Sequence, residues 1–329
     1  MSIREKFIEL FEVWSEVTPF IDRIVTPEEQ QLIVIMSGQA LPVSEIAIRT
    51  GLSATEVFQQ LERAYGRHLV NKEMRFEGDY YEQADFAARL DHFVKFENWD
   101  AIPLLDRQRI DERFLEIFIE RHRGTIECKK RGLTAQDELP NDVVLLLSET
   151  FSLVDAATLI VVQPCDCRRL AQNCTRPVQT CILLDDIARE TLARGHGQQL
   201  NSEQAKQLLR WCDQKGLIHT SDAAWQVHGL TAICNCCECC CYPFQAARKL
   251  DSKGVWPKNR YCAEIDHTRC QLCGACVKRC HFEAFRGAAE KILIKGKYRE
   301  KILFEPDCCW GCGLCATSCP EQAITMIPL

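Results

Sequence analysis

The residues of this chain that could do chemistry are its cysteines, which number 22 among 329 residues. Six of them stand in the stretch ICNCCECCC, which runs from Ile233 to Cys241. Adjacent side chains of an extended segment point in opposite directions, so these thiols cannot all bind one small metal centre. Thiolates are ligands for both zinc and iron–sulfur centres. The stretch therefore predicts metal chemistry, with its thiols divided between two sides.

Two tandem segments near the C-terminus space their cysteines in one common pattern. They read CQLCGACVKRC from Cys270 and CWGCGLCATSCP from Cys309. In each, two residues separate the first three cysteines and three residues precede the fourth. Three cysteines at this spacing can wrap one corner of a cubane and leave backbone N–H groups free for its sulfurs. Two zinc sites are the alternative, but this order of spacings is poor for zinc.

This internal repeat resembles the bacterial two-cluster ferredoxin, over about residues 262 to 328. The resemblance implies two 4Fe–4S clusters, because the fourth cysteine of each segment serves the other cluster in that family. The implied ligands are Cys270, Cys273, Cys276 and Cys319 for one cluster, and Cys309, Cys312, Cys315 and Cys280 for the other. The chain departs from the family at His281, where proline is usual, and at Cys308, which stands beside the implied ligand Cys309.

Ten further cysteines form two groups in the middle of the chain. One group is Cys165, Cys167, Cys174 and Cys181, and the other is Cys234, Cys236, Cys237, Cys239, Cys240 and Cys241. We expect the two groups to converge and bind one or two additional iron–sulfur clusters, because a ferredoxin module adjoins them. Zinc binding and thiols that only pack are the alternatives. Nearby arginines could offset the charge of thiolate-bound clusters, recognise an anionic partner or be ordinary surface charge: Arg168, Arg169, Arg176 and Arg248.

The composition narrows the class of protein. Hydrophobic residues make up 47% and charged residues 26%, as in ordinary soluble proteins. A net charge of −6 gives no general attraction to nucleic acid or to an anionic membrane. The N-terminal sequence lacks the apolar core of a signal peptide, and no apolar run approaches a membrane span of roughly 18 residues. We expect a cytoplasmic protein without membrane insertion, in which disulfides are rare.

The elements that position these cysteines predict an α+β protein of several domains. We predict a helical, winged-helix-like domain at 1–85, a cysteine-rich α/β domain at 86–250 and the dicluster ferredoxin domain at 251–329. The β-branched run Thr158–Val162 predicts a strand that delivers Cys165 and Cys167 at its tip. Residues 202–229 predict a helix followed by two strands, LIHT and WQVHG, that lead to the cysteine run.

The N-terminal region resembles a winged helix-turn-helix over residues 27 to 85. An amphipathic helix runs from Ile3 to near Pro19, and a second begins after Thr26 as its N-cap. A helix capped by Ser53 stands where this family reads DNA, and a hairpin turns around Gly78–Asp79. The presumed recognition helix mixes acidic and basic residues, so a scaffold for packing or protein docking is favoured over DNA binding.

The predicted function is iron–sulfur electron transfer, by a carrier or by a subunit of a cytoplasmic oxidoreductase. Single low-potential electrons would pass through the two C-terminal clusters to or from the middle cysteines and a redox partner protein. The alternatives are an oxidoreductase that binds substrate at the middle cluster and a redox-sensing DNA-binding regulator. The whole arrangement is similar to a family of multi-cluster iron–sulfur proteins from anaerobes that joins a PCDCR-type segment, a CNCC-x-CCC-type run and a dicluster ferredoxin.

Overall fold

The computed structural model describes residues 1–133, 139–140, 142–294 and 296–329, which form two compact units of mixed helix and sheet. The first unit contains Met1–Phe114, Arg169–Ala171 and Glu190–His196. The second contains Leu115–Arg168, Gln172–Arg189 and Gly197–Leu329. The mixed α+β composition agrees with the predicted class, whereas the division into three domains stays a prediction. No helix in the described parts of the chain is long and apolar enough to cross a membrane.

The first unit is mainly helical, and its helix starts follow the predicted caps. The side chains of Thr26 and Ser53 each accept the backbone N–H three residues on, and Glu29 and Glu56 complete the capping boxes. The helices are α1 Ile3–Leu10, α2 Ile21–Ile24, α3 Pro27–Met36, α4 Val43–Thr50, α5 Ala54–Gly66 and α6 Phe86–Phe96. Strands β1 Leu41–Pro42, β2 Val70–Arg75 and β3 Gly78–Gln83 form an antiparallel sheet in the order β1-β3-β2.

The first predicted helix was too long. It ends at Leu10, and Glu12 has a φ of 52°, a left-handed conformation that no helix can continue through. The chain resumes with a 3₁₀ turn at Thr18–Phe20 that leads into α2. The apolar residues beyond Leu10 are still buried, as Phe11 and Val17 show, so burial without helical backbone produced the misleading pattern.

The second unit is built on a six-stranded sheet. Its strands are β4 Val143–Leu145, β5 Ile160–Pro164, β6 Gln179–Leu184, β7 Gln198–Leu200, β8 Ile218–Ser221 and β9 Ala232–Cys236, in the order β4-β8-β9-β6-β5-β7. Every neighbouring pair is antiparallel. The helices between Leu104 and Leu250 are α7 Leu104–Lys130, α8 Leu147–Ala156, α9 Asp166–Ala171, α10 Asp185–Ala193, α11 Ser202–Gln214, α12 Trp225–His228 and α13 Tyr242–Leu250. Of these, α7, α9 and α10 are each divided between the two units. Leu153 of α8 and Leu209 of α11 pack on Ile182 and Ile233 of the sheet to form its apolar core.

One predicted strand in this unit is wrong. The LIHT segment forms β8 as expected, but WQVHG forms the single-turn helix α12. Strand β8 is already paired on one side with β4 and on the other with β9. Because both edges of β8 are occupied, the segment that follows cannot form a hairpin with β8.

The C-terminal part carries two two-stranded antiparallel sheets and two short helices. Strand β10 Tyr261–Ile265 pairs with β13 Ile324–Pro328, and β11 Phe285–Ile294 pairs with β12 Lys297–Phe304. The helices are α14 Ala275–Arg279 and α15 Leu314–Thr317. The β11–β12 pair is the added hairpin expected between the two cysteine segments. Ala263, Phe285, Ile302 and Ile324 pack together with several of the cysteines.

Candidate metal centres

The antiparallel sheet of the second unit brings the two middle groups of cysteines to one end. The end of β5, the start of β6 and the end of β9 are neighbours because successive strands run in opposite directions. Cys165 follows β5, Cys181 lies on β6 opposite Gln163, and Cys234 and Cys236 lie on β9. The predicted convergence of the two groups thus follows from strand order.

Four thiols form a tight group, here called the four-thiol set: Cys174, Cys237, Cys239 and Cys240. Their sulfur atoms all lie within 4.8 Å of one another. The Sγ of Cys174 is 3.9 Å from that of Cys237 and 3.7 Å from that of Cys240, and Cys239 and Cys240 are 3.8 Å apart at Sγ. Cys237 and Cys240 are buried.

The remaining six middle thiols form a second group, here called the six-thiol set: Cys165, Cys167, Cys181, Cys234, Cys236 and Cys241. The thiols of Cys234 and Cys241 lower the pKa of Cys236, and the thiol of Cys181 raises that of Cys234. The thiol of Cys165 raises the pKa of Cys167, and burial followed by the thiols of Cys236 and Cys165 raises that of Cys241. The six thiols are thus linked by their electrostatic influence on one another.

The run ICNCCECCC is divided between these sets. Cys234 and Cys236 lie on the same face of β9, as the period of a strand requires, and they join the six-thiol set with Cys241. The turn after β9 sends Cys237, Cys239 and Cys240 to the four-thiol set. Cys241 is the N-cap of α13, where Pro243 lies in the first turn.

Arg168 is buried against both sets. Its Nε donates to Cys237 Sγ at 3.4 Å, and its Nη2 donates to the backbone oxygen of Asn235 at 2.7 Å. Its Nη1 donates to the backbone oxygen of Pro177 and to Thr180 Oγ1. Burial opposes the charge, but the thiols of Cys165 and Cys237 beside it raise the pKa of this guanidinium overall. Arg168 is therefore a buried cation at the cysteines.

The other three nearby arginines differ in their surroundings. Arg176 pairs with Glu238 at 2.8 Å and has its Nη1 3.7 Å from Cys239 Sγ. Arg248 donates to the backbone oxygen of Glu238 and does not contact a thiol among the described hydrogen bonds. Arg169 belongs to the first unit, where it pairs with Asp100. Arg168 and Arg176 thus reach cysteine sulfur, and Arg169 is ordinary partly exposed charge.

Ionisation within the four-thiol set is uneven. A hydrogen bond from the Cys240 thiol lowers the pKa of Cys237 to about 3, and the Arg168 guanidinium acts in the same direction. Burial raises the pKa of Cys239 to about 12. Without a metal, Cys237 is therefore the thiolate of this set, and its negative charge keeps the neighbouring thiols protonated. A metal cation would reverse this order, because coordinated thiols are deprotonated.

Two buried polar residues behind the cysteines were not found from the sequence. Asn235 donates from Nδ2 to the backbone oxygen of Thr180 at 2.6 Å, and its Oδ1 is 2.7 Å from His219 Nδ1. Burial lowers the pKa of His219 to about 4, so the ring is neutral. The position of Asn235 between Cys234 and Cys236 was the available signal, since alternation places it on the opposite face of β9.

In the C-terminal module, four of the predicted ligands line one cavity. Cys270, Cys273, Cys276 and Cys319 surround it, so the fourth cysteine of the second segment joins the first three of the other segment. Cys273 is exposed to solvent and Cys276 is buried. The donor set fits a thiolate-bound cluster.

The other four predicted ligands also lie together. The electrostatic neighbours of Cys315 include Cys312, Cys309 and Cys280, again with one cysteine from the opposite segment. Burial raises the pKa of Cys312 to about 12. The backbone N–H of Gly311 points to Cys309 Sγ at 3.4 Å. Cys309 and Cys315 are buried, so this group of thiols is more enclosed than the first.

The four unassigned cysteines have mixed surroundings. Cys212 is fully buried in the second unit, and burial raises its pKa to about 12, as for a small apolar residue. Cys262 lies beside Cys309. Cys128 and Cys308 are half-buried.

Comparison with known proteins supports the C-terminal module. A family model described as a 4Fe-4S dicluster domain matches residues 269–324, a range that contains all eight predicted ligands. No curated protein and no solved structure matches the chain. The module is therefore of the iron–sulfur type. The resemblances of the whole chain to a family from anaerobes and of its N-terminal region to a winged helix stay predictions.

Proposed function

We propose that this chain is an electron-transfer protein, or an electron-transfer subunit of an oxidoreductase, which passes single low-potential electrons between two 4Fe–4S clusters and a further iron–sulfur site in the six-thiol set. The observation that carries the proposal is the dicluster domain at residues 269–324, which lies in the same compact unit as the ten middle cysteines. A bound 4Fe–4S cluster supplies reversible one-electron chemistry. The chain's own residues hold it, exclude water and set its potential.

The two C-terminal groups of cysteines differ in solvent exposure, and this difference indicates a direction for the proposed electron transfer. The cavity lined by Cys270, Cys276 and Cys319 reaches solvent at Cys273, which is exposed, whereas Cys309 and Cys315 are buried. A partner protein would therefore exchange electrons at the Cys273 side. The buried group would form the inner step.

The inner step leads toward the six-thiol set. Cys312 packs in one apolar cluster with Cys236 and Cys241, and Trp310 and Phe244 fill the same cluster. The rings of Phe244 and Trp310 are 5.1 Å apart between centroids. Because water is excluded here, the local dielectric is low and charges on bound clusters would be felt strongly across this layer.

The experiment uses the full chain, purified without oxygen. Iron and acid-labile sulfide are counted, and the dithionite-reduced protein is examined by electron paramagnetic resonance. We expect more than about eight irons per chain, because two cubanes account for that number. Cys236→Ser should remove the additional iron and keep the two C-terminal cluster signals. A count of only about eight irons would refute the additional cluster.

A matched pair of variants tests the C-terminal assignment separately. Cys312→Ser should lose about four irons and four sulfides, since it removes a proposed ligand, and Cys308→Ser should keep the full count. Equal loss in both variants would contradict the assignment of Cys312. Substrate turnover by the isolated chain would instead favour an enzyme.

We also propose that the N-terminal region is a scaffold or docking element and not a DNA reader. Its helix and strand order, α3, β1, α4, α5, β2 and β3, supports the winged-helix interpretation. However, Arg67 after α5 is engaged by Glu29 and Glu97, while Phe58 on that helix is exposed. DNA affinity that changes with cluster oxidation, measured by fluorescence anisotropy, would overturn this proposal. The compartment and the redox partner also stay predictions.

A further inference from the structure

The four-thiol set differs from an iron–sulfur ligand set in the spacing of its sulfurs. Four ligands at a metal–sulfur distance of about 2.3 Å around one ion form a tetrahedron whose edges are about 3.8 Å. The observed Sγ separations of 3.7, 3.8 and 3.9 Å match these edges. All six pairs lie within 4.8 Å.

A cubane requires a much wider arrangement. Its cysteine sulfurs radiate from four separate irons and stand on the order of 6 Å apart. The C-terminal cysteines offer an internal comparison. Among the residues that the structure describes, neither C-terminal group brings three sulfurs within the 4.8 Å mutual distance that the four-thiol set satisfies. The same chain thus contains both a wide and a narrow type of thiol group.

The charges around the narrow group suit one ion. Four thiolates around a divalent cation leave a net charge of −2. Arg168 Nε reaches Cys237 Sγ at 3.4 Å, and Arg176 Nη1 lies 3.7 Å from Cys239 Sγ. Arg168 therefore offsets part of the residual negative charge in this partly buried site, and Arg176, whose charge is shared with Glu238 at 2.8 Å, adds to it. Asn173 donates to the backbone oxygen of Cys239 at 3.0 Å and holds the Cys174 loop against the turn.

We propose that Cys174, Cys237, Cys239 and Cys240 bind a single thiophilic metal ion, Zn²⁺ or Fe²⁺, and not a 4Fe–4S cluster. The inference is independent of the proposed electron transfer, which uses the C-terminal groups and the six-thiol set. Zinc would make the centre structural, and iron would make it a further one-electron site.

The test is elemental analysis of the full chain, purified without oxygen, with acid-labile sulfide measured on the same sample. In the wild-type chain we expect either about one zinc or an excess of about one iron over sulfide. A chain with no zinc and with iron equal to sulfide would overturn the proposal. This measurement needs no variant and so does not depend on the folding of one.

A pair of variants then assigns the ion to the set. Cys174→Ser should lose about one metal atom with no loss of sulfide, and the element lost identifies zinc or iron. Cys128→Ser, outside both sets, should match the wild type. Loss of about four irons and four sulfides from Cys174→Ser, or no loss of metal, would refute the single-ion centre. Missing C-terminal cluster signals would instead refute the electron-transfer proposal and leave this one standing.

Discussion

Arg168 offers the sharpest test of how the middle cysteines are held. The proposed change is Arg168→Gln, which removes the charge and keeps one amide donor. The guanidinium donates to the buried backbone oxygen of Asn235, to the partly buried backbone oxygen of Pro177 and to Cys237 Sγ. Hydrogen bonds from a charged donor contribute about 1.5 to 3 kcal/mol each, so losing both carbonyl bonds costs about 3 to 6 kcal/mol. If glutamine restores one bond, a loss of about 1.5 to 3 kcal/mol remains.

The assay is hydrogen exchange of the full chain, read by mass spectrometry on peptides that cover Cys234–Cys241. A loss of about 1.5 to 3 kcal/mol in local stability corresponds to exchange about 10- to 100-fold faster, since each 1.4 kcal/mol is tenfold. Arg168→Lys should fall between the variant and the wild type, because it keeps the charge and loses the fork of donors.

The neighbouring arginine provides the control for Arg168. Arg169→Gln makes the same substitution one residue away, but Arg169 pairs with the exposed carboxylate of Asp100 and donates to the backbone oxygen of Val94, both in the first unit. Such a pair contributes at most about 1 kcal/mol, so the Cys234–Cys241 peptides should change less than about fivefold. Exchange that is unchanged in Arg168→Gln, or equally fast in both variants, would refute the argument from buried donors.

Three further predictions concern pH and packing. Burial lowers the pKa of His92 to about 4, so the unfolded chain binds more protons than the folded chain as the pH falls below about 6.5. The free energy of unfolding should therefore drop by about 2 kcal/mol by about pH 5. Hydrogen exchange over α6 measures this drop, and a His92→Gln variant with the same pH slope would contradict it. Glu97→Gln should destabilise α6 by about 3 kcal/mol, because Arg89 is fully buried and loses its carboxylate partner at 2.8 Å. Unchanged protection of α6 from hydrogen exchange in this variant would count against the prediction. Trp310→Ala should lower the free energy of unfolding by about 3 to 5 kcal/mol, because it opens a cavity in the layer between Cys312 and Cys236. Anaerobic urea unfolding measures this loss, and an unchanged midpoint would show that the layer is not packed as described.

The features that could be predicted from the sequence are those that depend on residues close together in the chain. The capping residues Thr26 and Ser53 and the strand before Cys165 depend on neighbours a few residues away, and these expectations are confirmed. The spacing of the C-terminal cysteines is also local, and the dicluster domain match supports it.

Non-local pairing was not readable in the same way. The order β4-β8-β9-β6-β5-β7 depends on contacts far apart in sequence, and it decides that Trp225–His228 forms a helical turn and not a strand. The burial of Arg168, in contrast to the partial exposure of Arg169, depends on where α9 lies and has no signature in two adjacent arginines. The sequence predicted that the thiols of ICNCCECCC divide between two sides, but which thiol joins which set depends on the turn after β9, and composition does not predict that turn.

That division has a consequence for how the protein matures. Cys236 and Cys237 are adjacent in the chain yet belong to different sets, and Arg168 contacts one and faces the other. When the first set binds its proposed metal, the backbone shared by the two sets becomes ordered. The second metal centre then binds without the entropy cost of ordering that backbone again. Filling of the two centres would then be cooperative, so partly loaded chains should be scarce compared with chains that hold both centres or neither.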